Sequence, residues 1–116
     1  MSMVQMTAES EDRAIAGAVD VFRTLAEGTR IRIILALAQH PESSVGQLAS
    51  RVGRPAPAVS QHLNRLQRSG MVRRRRDGQR MLYHLVDEHA ADLANTALHY
   101  AAVHLEDRPT HHAQTR

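Results

Sequence analysis

The chain has 116 residues, 42% of them hydrophobic, with one Phe, two Tyr and no Cys, so one modest core of Leu, Ile, Val, Ala and Met is expected and disulfide or thiolate chemistry is excluded. All 15 cationic side chains are Arg; nine of them lie between residues 51 and 80 beside a single acid, Asp77, a local net charge of +8 against −5 for the remainder. No apolar run approaches the roughly 20 residues that span a bilayer, and the N-terminus has no basic-then-apolar leader, so a cytoplasmic protein is expected.

Residues 1–11 are polar and are expected to form a flexible N-terminus. From Asp12 to Arg23, the residues Ile15, Ala18, Val19 and Phe22 recur at helical spacing and predict a first helix. The segment "LAEGTRIRIILALAQH" carries Ile31, Ile34, Leu35 and Ala38 at i, i+3, i+4 and i+7, the stripe of a half-buried helix that stops near His40-Pro41. "SSVGQLASRVG" predicts a third helix, with Ser44 and Gln47 spaced as a capping box, Val45, Leu48, Ala49 and Val52 as the buried stripe, and Gly53 as a left-handed stop. "RPAPAVSQHLNRLQRSG" predicts a fourth: Pro57 is tolerated in the first turn, Val59, Leu63 and Leu66 face inward, and Ser60, Gln61, Asn64, Arg65 and Arg68 face outward.

The period then changes. In "MVRRRRDGQRMLYHLV", Met81, Tyr83 and Leu85 alternate with Arg80, Leu82 and His84, and Asp77-Gly78 signals a tight hairpin between strands near 71–76 and 79–86. A last helix from about Glu88 to Leu105 places Ala90, Leu93, Ala97 and Ala101 on one face, small enough for a second helix to approach, and Arg108-Pro109 ends it. The fold expected is mostly α with a small β-hairpin, a winged helix-turn-helix in the order α-α-α-α-β-β-α, occupying residues 12–106 and followed by a His-containing tail at 107–116.

A recognition helix presents short polar side chains to base edges in the major groove and cations to phosphate. Ser60 and Gln61 suit the first task, Gln61 as a bidentate partner for adenine, with His62 and Asn64 as further candidates. Arg65 and Arg68 suit the second, and Arg74, Arg75, Arg76 and Arg80 of the wing would reach the flanking backbone or minor groove. Gln61 and His62 cannot both point fully outward from a helix seated on Val59 and Leu63, which leaves His62 either a DNA contact or a partly packed position. Double-stranded DNA is the partner this pattern implies.

The segments "LAEGTRIRIILAL", "VGQLASRVGRPAPAVSQHLNRLQRSGMVRRRRDGQRMLYHL" and "DEHAADL" resemble the ArsR/SmtB family of metal-responsive repressors over roughly residues 15–105. "RPAPAVSQHL" and the paired His111 and His112 resemble the mycobacterial nickel/cobalt sensors within it. The resemblance implies a homodimer through the first and last helices, a two-fold-symmetric operator, and release of that DNA when an inducer binds. One inducer site of the family uses Cys and is impossible here. Another begins with Asp-x-His, matched by Asp87-Glu88-His89, but its two further ligands, from the partner's last helix, fall on Tyr100 and Val103. The helix Glu-His pair of the nickel/cobalt sensors falls on Ala102 and Val103.

The metal-ligand set expected is therefore Asp87, His89, His104, His111 and His112, with His99 in reserve. His104 continues the small-residue stripe of the last helix, and His99, about 140° away from it, does not. Imidazole and carboxylate suit Ni(II), Co(II) or Zn(II), and no organic cofactor is expected. Asp87 has an alternative role as a cap of the last helix, and the tail histidines an alternative as solvated polar residues. His84, in the wing, reads as structural. A nucleophile motif, a Gly-rich phosphate loop and a His-Glu-x-x-His pattern are all missing, so an enzyme is not expected. The rival readings are an ArsR-type repressor that senses another signal or none, and a winged helix that binds protein alone, which the arginine block argues against.

Overall fold

The computed structural model describes residues 7–105. In chain order the elements are α1 (Ala8–Leu25), α2 (Gly28–Gln39), α3 (Val45–Val52), α4 (Ala56–Arg68), β1 (Val72–Asp77), β2 (Arg80–Leu85) and α5 (His89–His104), the expected order. No helix among them is long and apolar enough to cross a membrane.

α1 begins at Ala8, four residues before the predicted start, so residues 8–11 of the expected flexible segment are helical. The reason is local: the Thr7 hydroxyl accepts the Ser10 N–H at 3.1 Å, and Glu9 and Glu11 sit in the first turn, where the helix dipole favours anions. Of the 18 residues of α1 only Thr24 and Leu25 are buried. Its apolar side chains Ile15, Val19 and Phe22 are 54%, 41% and 63% exposed, an unpaired hydrophobic face.

α2 is the centre of the core. Ile33 and Ile34 are fully buried and Leu37 nearly so, while Ile31 and Leu35 are half-buried and Ala38 is exposed. The predicted stripe was rotated, because α1, α3, α4, α5 and β2 all pack on this helix and together bury a wider arc than a one-sided stripe. α3 has the predicted capping box: the Ser44 Oγ accepts the Gln47 N–H at 3.2 Å and Gln47 Oε1 accepts the Ser44 N–H at 2.9 Å. Gly53 ends it at φ 67°, ψ 40°, the left-handed conformation that costs a side chain most. Removing the cap with Ser44→Ala should lower unfolding free energy by about 1 kcal/mol, read as a shift of the urea midpoint at unchanged slope.

α4 is seated by Val59, Leu63 and Leu66, all fully buried. Pro55 precedes it in an extended conformation, and Pro57 stands in the first turn where no hydrogen bond is lost. The hairpin pairs Val72 with Leu85 through Asp77 with Arg80, so the two-residue loop is Gly78-Gln79, with Gly78 at φ 66°, one position later than predicted. The alternation predicted for β2 also fails locally, since Leu82 and Tyr83 are both buried. β2 is an inner strand here: β1 lies on one edge, and on the other Ser43 exchanges backbone hydrogen bonds with Tyr83 at 3.0 and 2.8 Å.

α5 rests on the body through Ala90, Ala91 and Ala94 rather than through the predicted Ala90, Leu93, Ala97 and Ala101. Only Ala90 of the predicted stripe is buried, Leu93 is 41% exposed, and Leu98 and Val103 also face out. Small side chains let α5 lie close to the body, which turns Leu93 and Ala97 toward a groove they share with Ala94 and with Phe22, Leu25, Ala26 and Ile31.

Candidate nucleic-acid interface and metal ligands

The buried row Val59, Leu63 and Leu66 fixes which side of α4 meets solvent. Gln61, Asn64 and Arg68 are exposed, and Ser60, His62 and Arg65 are half-buried. Gln61, His62, Asn64, Arg65 and Arg68 line one polar groove together with Arg30 of α2, a residue sequence reasoning did not single out. His62 and Arg65 are drawn toward neighbouring helices: Arg30 Nη1 donates to His62 Nδ1 at 3.2 Å, and Arg65 Nη2 donates to Asp20 of α1 at 3.3 Å. Of the two alternatives for His62, the partly packed one describes its place here.

The wing sorts its arginines by face. Cross-strand partners share a face, so Arg74 and Arg76 lie with Tyr83 and Met81, whereas Arg73 and Arg75 lie with His84 and Leu82. All four side chains are exposed, as is Arg80. Arg75 Nε donates to Glu42 at 2.8 Å, which neutralises much of its charge locally, and Arg80 Nη2 makes a long contact with Gln47 at 3.5 Å. Arg68, Arg74 and Arg76 have no ion-pair partner among the described residues. Glu42, a non-glycine residue at φ 65°, also places a carboxylate oxygen 3.5 Å from His84 Nδ1, a buried atom that has no hydrogen-bond partner among the described residues.

The predicted metal ligands separate into two places. Asp87 Oδ1 accepts the His89 backbone N–H at 2.9 Å and lies 3.2 Å from His89 Nδ1. The carboxylate thus caps the first turn of α5 from just upstream, where Glu88 supplies no side-chain cap. The hydrogen bond from the His89 N–H holds the Asp87 carboxyl below its ordinary pKa, and the Asp87 carboxylate in turn holds the His89 imidazole above its own. A lowered acid contributes above about pH 3.8 and a raised imidazole below about pH 6.5, so the pair is at full strength between those values.

His104 is exposed at the far end of α5, its ring 4.3 Å from that of Tyr100. Fifteen residues of helix separate His89 from His104, about 22 Å, so one chain cannot place both on one ion. Exposed His99 lies between them, and no cluster of three or more His, Cys, Asp or Glu is formed among the described residues. His111 and His112 lie outside the described residues. Asp87 holds His89 at Nδ1 and the His89 ring is exposed, an arrangement in which a carboxylate can orient an imidazole for a ligand on its other nitrogen.

A model of the MarR family matches residues 27–80, from the cap of α2 to the hairpin turn. The transcriptional regulator KmtR of Mycobacterium tuberculosis is 43% identical over 101 residues, 87% of this chain and 77% of that one. The transcriptional repressor SmtB of the same species is 37% identical over 82 residues, 71% of this chain and 60% of that one. The solution structure of a homodimeric winged helix-turn-helix DNA-binding domain from Mycobacterium bovis, described as a possible ArsR-family regulator, superposes with a TM-score of 0.74 at 30% identity, covering 86% of this chain and 92% of that one.

Proposed function

The chain belongs to the ArsR/SmtB family of winged-helix transcriptional regulators, and from that premise we propose that it is a homodimeric repressor that grips operator DNA and releases it when a transition-metal ion binds. The observation that carries the DNA half is the outward face of α4, where Gln61, Asn64 and Arg68 are exposed, together with the exposed wing cations Arg74 and Arg76, which have no ion-pair partner among the described residues. The dimer half is supported by Ile15, Val19 and Phe22 of α1 and Leu93 of α5, exposed apolar side chains on the two helices that a partner would cover. Two copies related by a two-fold axis present two recognition helices to half-sites about one helical turn apart, roughly 34–36 Å.

The metal half rests on the pairing of Asp87 with His89. Because His104 is so far from His89 on the same helix, a complete site would take His89, held at Nδ1 by Asp87, from one chain and His104 from its partner, with His111 and His112 as tail ligands; Asp87 becomes a ligand itself only where it leaves His89 Nδ1. Imidazole nitrogen with carboxylate oxygen suits Ni(II), Co(II) or Zn(II). A bound ion would link the two last helices; the chain's own part is to orient His89 through Asp87 and to present the exposed Leu93 and Ala97 of α5 to its partner. The second reading, a repressor that does not sense metal, is favoured by the engagement of Asp87 in capping α5 and by Val103 and Tyr100 where family ligands fall.

The two are separated by titrating Ni(II), Co(II) or Zn(II) into the protein bound to a fluorescent operator duplex selected from a random pool. A sensor loses about 5–150-fold in operator affinity at saturating metal, and His89→Ala abolishes the loss. Unchanged affinity in the wild type leaves the metal-blind repressor.

A further inference from the structure

The side chains of α4 that do not face outward are engaged in a specific way. Arg30, in the first turn of α2, directs its guanidinium to two other helices. Nε donates to the Thr24 carbonyl at 2.6 Å and Nη2 to the Arg23 carbonyl at 3.4 Å, both in the last turn of α1, where the helix dipole favours a cation. Nη1 donates to His62 Nδ1 at 3.2 Å. A nitrogen that accepts carries no proton, so the His62 proton is on Nε2, which faces Glu27 Oε1 at 3.8 Å. Glu27 is itself fixed, since the same oxygen accepts the Arg30 backbone N–H at 2.9 Å as the cap of α2. One turn further along α4, Arg65 meets Asp20 of α1 at 3.3 Å.

These contacts matter because α1 has little else to hold it. It buries only Thr24 and Leu25, at its C-terminal end, with Val21 half-buried against the core, while Ile15, Val19 and Phe22 stay largely exposed. We propose that Arg30 and Asp20 are positioning residues: they tie the recognition helix to the first helix at His62 and Arg65, and thereby set how well two recognition helices match two half-sites. The inference rests on the reading of the chain as a dimeric DNA-binding protein. A change in the angle between α1 and α4 is repeated in both chains of a dimer built on α1, so it alters the spacing of the two recognition helices. Operator binding depends on that spacing, whereas non-specific binding depends on phosphate charge alone. The signature of a positioning residue is therefore selectivity. A residue that merely grips phosphate changes affinity on every duplex alike, and one that merely supports the fold changes melting temperature.

The test measures wild type, Arg30→Met and Asp20→Asn on a duplex selected from a random pool and on its scrambled counterpart, across a salt series, with solution mass and melting temperature alongside. For Arg30→Met, affinity for the selected duplex should fall about tenfold more than affinity for the scrambled one, in a protein that is still dimeric. Asp20→Asn releases Arg65 toward phosphate, so affinity for the scrambled duplex should rise and its salt dependence steepen, while selectivity again falls. If Arg30→Met does not fold, Asp20→Asn decides the matter, because Asp20 is an exposed residue with no part in the core. Proportional losses on both duplexes with a shallower salt slope would make Arg30 a phosphate ligand and overturn the proposal, as would unchanged selectivity in both variants. A wild-type protein that fails to distinguish the two duplexes would remove the DNA-binding reading itself, before any variant is compared.

Discussion

Phe22→Glu will turn the protein from a dimer into a lone chain at micromolar concentration, and operator affinity will fall with it. Phe22 is 63% exposed, so its own chain loses little packing when the ring is removed. In the proposed dimer, however, the substitution places two carboxylates across a two-fold axis among the exposed apolar side chains Ile15, Val19 and Leu93. Loss of an aromatic anchor costs about 2 kcal/mol or more, and burying an unpaired carboxylate adds at least as much. About 4 kcal/mol corresponds to roughly a thousandfold weaker dimer. Sedimentation equilibrium measures this directly, and Phe22→Leu, which keeps the seam apolar, should remain dimeric. A Phe22→Glu protein with the mass of an unaltered dimer would place the seam elsewhere.

The second large effect concerns the cations. Arg68→Ala, Arg74→Ala and Arg76→Ala combined should reduce duplex affinity by about a millionfold at moderate salt, since each charge-assisted contact is worth about 1.5 kcal/mol or more and a dimer loses six of them. Present twice in a dimer, the three account for six phosphate contacts, so the slope of log K against log salt should become shallower by about 5. Arg75→Ala is the internal comparison. Its guanidinium already lies 2.8 Å from Glu42, so its removal should cost much less than removal of Arg74 or Arg76. Equal effects of Arg74→Ala and Arg75→Ala, measured by fluorescence anisotropy across a salt series, would show that the ion pair opens on DNA and that the sorting of the wing arginines is wrong.

How far these surfaces can be read without coordinates depends on how local their causes are. The capping box of Ser44 and Gln47, the left-handed stop at Gly53, the inward row Val59, Leu63 and Leu66, and the hairpin with its arginines are set by residues a few positions apart. Steric preference and hydrogen-bond reach operate at that range, so the element order and the outward face of α4 follow from the sequence alone. The register of the hairpin turn is missed by one residue because Asp77 pairs with Arg80 in the ladder instead of opening the loop.

The arrangement of charges is a different matter. Arg30 meets His62 across 32 residues, Arg75 meets Glu42 across 33, and Arg65 meets Asp20 across 45. No periodicity within a helix encodes these pairings, because they depend on the angles at which helices cross. The rotation of α5 onto Ala90, Ala91 and Ala94 has the same origin: alanines alone favour no one face, and close approach to α2 selected one. The amino-acid order by itself determined a winged helix with a basic reading face and histidines near its end. Only tertiary packing decided which of those cations are already paired within the chain, and that His89 and His104 stand at opposite ends of α5 with no third His, Asp or Glu gathered beside either among the described residues, because both depend on distances between side chains that periodicity does not encode.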